Sequence, residues 1–464
     1  MKRRTLLAVL IMLVGVAAFA AAGCGGDDDE GDGAQPTATG EGGAQGDNQV
    51  TALPSASCEA LEYEGAGEPD VLIATDLPMQ GSSRTQTVQM VEAVRFVLQQ
   101  RDWKAGGLDV AYQVCDDSTA QAGKWDSGKC SQNAQAYAQN SDVLGVIGTF
   151  NSGCAAIEIP VLNQAPGGGV AMVSPANTFV CLTEAAPACA EDEPDKYYPG
   201  GTRNYIRMVA HDAYQGAAVA QFAQSIGVES VYILNDREAY GQGVAQNFRD
   251  SAEHLGIEVA GFAAWDPKAS SYEALMNTIK GTGAQAVFLG GLICENGGQV
   301  IKDKVAVLGP NAATADEGVV LLAPDGFTTQ ATIDEAGEAS AGMFSSVAGV
   351  PADQLTGAGK EFVDAFMQET GAEPPLEPYT AYAAQAAEVL LTAIEQGGGE
   401  RGATVEALFQ TQVQGGILGD FDISENGDPT VGPVTVYVAG DTFDTHEVIT
   451  PEDAAVEAAL AGGA

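Results

Sequence analysis

Positive charge is what this 464-residue chain has least of: 20 Lys and Arg against 63 Asp and Glu, a formal net charge of -43. No Lys or Arg occurs between Arg4 and Arg84. Such a surface repels phosphate backbones and anionic headgroups, which excludes binding to nucleic acid or to a membrane by charge. There are three histidines, His211, His254 and His446, far apart in sequence, and no pair of cysteines is spaced CxxC, so zinc or another metal site is not expected. Nucleophile elbows (GxSxG) and P-loops are missing, and the one glycine cluster that begins a dinucleotide fingerprint, Gly241 and Gly243, meets Gln246 where the third glycine belongs. With neither nucleophile nor metal beside its carboxylates, the chain is expected to be no enzyme and to need no cofactor.

Long apolar runs are equally scarce. The main one, Leu6 to Phe19, follows the basic Lys2, Arg3 and Arg4 and is short for a membrane span. With Ala21-Ala22-Gly23-Cys24 behind it, it reads as a signal peptide over residues 1–23, whose loss takes the charge from -43 to -46 because three cations and no acid are removed. From Cys24 to Gly67 large apolar residues are few and acids many, which predicts a disordered, extended tether over 24–67.

What the chain does have is alternation of strand and helix. Val143 to Ile147 is a short apolar, β-branched run of the kind buried on both faces of a parallel sheet. Gly148, Thr149, Phe150, Asn151 and Ser152 follow, with Ser152 the expected N-cap of the next helix. One unit later Val170 to Val173 ends in Ser174-Pro175-Ala176-Asn177-Thr178. Two polar strand ends on neighbouring strands face one crevice, and a helix start there can hold a carboxylate on backbone N–H groups without Lys or Arg. Earlier, Val71 to Ala74 leads to a polar turn with Arg84 and Thr85, where Arg84 can meet an anionic group of a ligand or make a surface ion pair. Leu108 to Val114 is a further strand. Helix 213–226, strand 230–234, helix 243–255, strand 258–264, helix 272–280 and strand 286–289 repeat the alternation, giving an α/β fold of doubly wound sheets in two lobes.

These turns, together with Gln215-Gly216, Asp236, Tyr240-Gly241-Gln242-Gly243, Gly290-Gly291 and Ala323-Pro324-Asp325-Gly326, resemble the type I periplasmic binding proteins, in the leucine/isoleucine/valine-binding branch of ABC importers, from Val71 to Val438. The resemblance implies two Rossmann-like lobes joined by three crossover strands: 68–210 with 349–430, and 211–348 with 431–447, leaving 448–464 as a tail. It implies a small ligand between the lobes, an amino acid above all, delivered to the membrane permease of an importer by a monomeric protein. Ser152, Ala176, Asn177 and Thr178 correspond to the site of the ligand's α-carboxylate, Tyr240 to an aromatic wall, and Asp325 to the acid that takes the α-ammonium. Leu292 stands where the family commonly has an aromatic, and Arg84 and Thr85 where the first lobe usually presents one. Ala-Ala-Gly-Cys resembles the lipobox, which implies lipid on Cys24 and an extracytoplasmic protein anchored to the bacterial membrane through that lipid alone. Relatives that bind urea, short amides or aromatic acids, or that present ligand to a signalling partner, are the alternatives. Of the other seven cysteines, Cys181 with Cys189 forms the expected local disulfide, Cys115 with Cys130 a second candidate, and one thiol must stay odd.

Overall fold

A computed structural model describes residues 50–462; Cys24, the signal peptide and the first half of the tether lie outside them. Among the described residues two sheets dominate. The first runs Lys104–Ala105, Leu108–Asp116, Val71–Leu77, Val143–Gly148, Ala171–Ser174, Tyr205–Arg207, parallel apart from the Lys104–Ala105 hairpin. Every residue of Val71–Leu77 and Val143–Gly148 is buried, because helices pack on both faces and leave no side of a strand for water. On one face, helices Arg84–Gln100 and Thr380–Gly397 pack together and place Val94, Leu98, Leu390 and Ile394 in one core. The second sheet runs Glu258–Ala264, Ser230–Asn235, Ala286–Gly290, Val320–Ala323, Phe344–Ala348, Val434–Ala439, Phe443–Ile449, the last two strands antiparallel. The chain crosses between the sheets after Arg207, after Ala348 and before Val434.

Several expectations need correction. The stretch 50–67 is not a free tether: Val50, Leu53 and Cys58 are buried, Glu62 pairs antiparallel with Tyr112, and Cys58 is bonded to Cys115. A few apolar side chains and one covalent tie suffice to order it against a strand whose partners would otherwise be incomplete. Cys130 joins Cys154 instead of Cys115, stapling helix Ser127–Gln139 to the first turn of helix Ser152–Asn163. Cys181–Cys189 forms as expected, and Cys294 has no disulfide partner among the described residues. The C-terminal stretch is no loose tail either. Strand Phe443–Ile449 continues past 447, and helix Asp453–Ala461 lies on helices Asp212–Ser225 and Ala239–His254, burying Ala455, Val456 and Ala459. No described helix is long and apolar enough to cross a membrane.

Candidate ligand-binding cleft

The carboxyl ends of the first-lobe strands build one wall. Gly148 brings its backbone so near the neighbouring strand that a Cβ would stand 2.5 Å from the Asp76 carbonyl oxygen, so only glycine fits this turn. The cap of the following helix is Asn151, not Ser152; Ser152 is the first helical residue, and its Oγ accepts from the Phe179 N–H at 3.4 Å. Ser174 Oγ donates to Thr149 O (3.0 Å) and accepts from the N–H groups of Ala176 (3.2 Å) and Asn177 (2.9 Å). Asn177 Nδ2 donates to Thr149 O (2.9 Å) and Phe150 O (3.0 Å). Fully buried, Asn177 therefore ties the two turns to each other and does not line the cleft, whereas Ser152, Ala176 and Thr178 do.

Behind this wall stands Arg207, without solvent exposure. Its guanidinium donates to Asp428 Oδ1 (2.7 Å), to the carbonyls of Asn177 and Phe179 (3.0 Å each) and to Thr183 Oγ1. The loop that carries Thr178 is thus held to the last crossover. Burial pushes the Asp428 carboxyl up, but Arg207 and the other partners outweigh it and keep it below the ordinary range.

In the second lobe, Asp236 fixes two turns at once. Its Oδ1 accepts from the Glu238 N–H and its Oδ2 from the Leu292 N–H, both at 2.9 Å. A Cβ on Gly291 would stand 2.6 Å from Asp236 Oδ2, which is why the glycine pair precedes Leu292. Burial raises the Asp236 carboxyl to about 7 against the lowering effect of those two N–H groups. The turn brings Tyr240 into the first turn of helix Ala239–His254, earlier than the expected helix start at Gly243.

Asp325 sits at the centre. Its Oδ1 accepts from Tyr240 Oη (2.5 Å) and Gln215 Nε2 (2.8 Å), its Oδ2 from Tyr379 Oη (2.9 Å). Burial nevertheless outweighs these donors and raises its carboxyl above the ordinary value. Tyr379 comes from the first lobe, so this contact joins the lobes, as do Gln86 Nε2 to Thr328 O (2.8 Å) and the ion pairs of Lys124 with Glu295 and Glu238. Trp125, Phe150, Tyr240 and Leu292 supply the apolar surface, and among the described residues no Lys or Arg lines the cleft. The space between these walls is ≈ 20 Å³, room for about one water molecule.

Of the residues singled out from sequence, the fold brings Ser152, Ala176, Thr178, Tyr240, Leu292 and Asp325 to one cleft, with Asn177 behind them. Arg84 does not join them. It begins helix Arg84–Gln100 and is exposed, with Gln86 facing the second lobe in its place. Trp125 and Tyr379 were missed. Trp125 lies in the two-residue strand Lys124–Trp125, too short to show alternation, and Tyr379 caps helix Thr380–Gly397, so no periodicity marks either direction, and only the tryptophan after the Cys115 turn and the tyrosine after Pro374–Pro378 hinted at them. Three groups among the described residues could be considered for a metal. Two consist largely of disulfide sulfurs, and in the third, Glu184 with His211 and Asp428, the aspartate already holds Arg207.

Two doubly wound lobes with a cleft between their strand ends define a solute-binding protein. A family model described as periplasmic binding protein matches residues 71–442. The Leu/Ile/Val-binding protein homolog 1 of Brucella abortus is 24% identical over 384 residues, 81% of this chain and 92% of that protein. The leucine-binding protein of Thermotoga maritima superposes with a TM-score of 0.69 at 23% identity, covering 82% of this chain and 99% of that one. A solute-binding protein of R. palustris in complex with benzoate superposes at 0.64 and 17% identity, covering 83% and 98%. The chain belongs to the periplasmic binding proteins, and its fold is the type I fold of that family.

Proposed function

We propose that the protein captures an α-amino acid of branched-chain type between its lobes and hands it to the permease of an ABC importer. The observation that carries this reading is Asp325: a half-buried carboxylate in a cleft walled by aromatic and aliphatic side chains, with no Lys or Arg among the described residues that line it and hydroxyl and backbone donors across from it. A zwitterion fits both ends. Its ammonium offsets the desolvation of Asp325, and its carboxylate meets Ser152, Thr178 and the backbone N–H groups at the start of helix Ser152–Asn163. Asn177 keeps that backbone in place. Tyr240, Leu292, Trp125 and Phe150 face the side chain. The Brucella relative is named as a homolog of Leu/Ile/Val-binding protein, which supports the same ligand class here. One observation favours a neutral or acidic aromatic ligand instead: Asp325 already accepts three hydrogen bonds. Titration calorimetry against leucine, isoleucine, valine, benzoate, urea and short amides separates the two. Heat from the amino acids alone supports the first reading; heat from benzoate or amides alone replaces it.

A cleft of ≈ 20 Å³ admits no amino acid unless the lobes part. Ligand then selects the closed arrangement, with hinges at 210–212, 348–350 and 428–432. Saturating ligand should reduce the radius of gyration in small-angle scattering; an unchanged radius would count against hinge closure.

The proposed site of work is the outer face of the cytoplasmic membrane, where three disulfides are stable, with lipid on Cys24 as the anchor. Cys24→Ser should move the protein from the membrane fraction to the soluble fraction. Retention of the variant on membranes would refute the lipid reading.

A further inference from the structure

Beside the cleft, and separate from it, the lobes enclose a groove of ≈ 850 Å³, within the size range of small-molecule sites. Leu355, Val363 and Met367 line it from the first lobe, and Phe443 from the second. Its charges are unbalanced. Lys360 is its one cation and is spent on Asp364 at 2.7 Å, while Asp353, Glu377 and Asp444 have no cationic partner among the described residues. Glu377 is half-buried, and its carboxylate has no hydrogen-bond partner among the described residues; its backbone N–H donates to Gln89 Oε1 at 3.0 Å and its carbonyl accepts from the Thr380 N–H at 3.1 Å. An apolar trough with a partly desolvated, unpartnered carboxylate is complementary to a molecule that carries one positive charge on an apolar body.

We propose that this groove is a second ligand site, taking an organic cation such as an alkyl- or arylalkylamine whose ammonium pairs with Glu377. Burial already lifts the Glu377 carboxyl to about 7, the cost that an arriving cation would offset. The occupant would touch both lobes, and Glu377 lies two residues from Tyr379, whose hydroxyl holds Asp325. The site is therefore placed to sense or bias lobe closure.

Calorimetry on the full chain with phenethylamine and hexylamine, and with the matched alcohols, tests this. Each amine should bind once per protein, the alcohols at least about tenfold more weakly, since a charge-assisted contact contributes roughly 1.5–3 kcal/mol. Glu377→Gln should weaken amine binding about tenfold or more. Thr445→Trp, which places a ring in the groove from strand Phe443–Ile449, should abolish it. Equal binding of alcohols and amines would overturn the assignment. So would amine binding that survives both substitutions, which would put the amine elsewhere. Silence of the amines with binding of a Lys-rich peptide would overturn it in favour of a macromolecular partner. Should Glu377→Gln fold poorly, the amine and alcohol contrast on the unaltered protein and Thr445→Trp still decide.

Discussion

Asp325→Ala is expected to weaken amino acid binding by at least about thirtyfold, corresponding to a loss of roughly 2 to 5 kcal/mol. The physical cause is a ligand ammonium left desolvated and unpaired in a closed cleft. The substitution also strands Tyr240 Oη, Gln215 Nε2 and Tyr379 Oη, which all point at that carboxylate. Ser152→Ala should cost less, about 1 to 2 kcal/mol, because the N–H groups at the start of helix Ser152–Asn163 remain for the carboxylate. The ordering is the test, read by calorimetry on the ligand that the panel identifies. A silent Asp325→Ala, or a more damaging Ser152→Ala, would mean that the ligand lacks an α-ammonium.

The second large effect is on stability. Asp428→Ala should destabilise the fold by about 3 to 5 kcal/mol, because it leaves the fully buried Arg207 guanidinium without its counter-charge. The readout is the shift in urea midpoint at neutral pH; a loss below about 1 kcal/mol would show that Asp428 is not the partner that matters. Removing both charges, as Arg207→Met with Asp428→Leu, should recover much of the loss, since no unpaired charge remains. The pH dependence has a definite sign. The Asp428 carboxyl is held below its ordinary value in the fold, so its contribution is complete above the ordinary carboxylate range and disappears as pH falls through the lowered value. The gap between wild type and Asp428→Ala should therefore narrow toward strongly acidic pH. Loss of Asp428 also frees the carbonyls of Asn177 and Phe179 from a well-held Arg207, so ligand affinity should fall with stability.

The alternation of short apolar runs with helical periodicity was enough to read the doubly wound lobes, because strands buried on both faces are mostly apolar and read as near-continuous hydrophobic runs. The polar strand ends named the wall around Ser152, Ala176 and Thr178 for the same reason: open α/β sheets bind there, whatever the ligand. Local chemistry misled where the outcome depended on a distant partner. Arg84 has the charge for an anion but begins a helix that points it to solvent, and Cys115 found Cys58, which composition had assigned to a disordered tether. Asn177 looked like a ligand contact and is instead a bracket between two turns, a role set by carbonyls from the preceding strand end. By itself the sequence determined the architecture and the acidic surface, since these follow from pattern and composition, whereas Asp325 and Tyr240 were singled out by the resemblance to the family. Only the tertiary structure decided what surrounds Asp325. Trp125 reaches the cleft from the two-residue strand Lys124–Trp125 and Tyr379 from just before helix Thr380–Gly397, both in the other lobe, and contacts distant in sequence, Trp125 over Gly153 and Tyr379 on Asp325, leave no period in the chain.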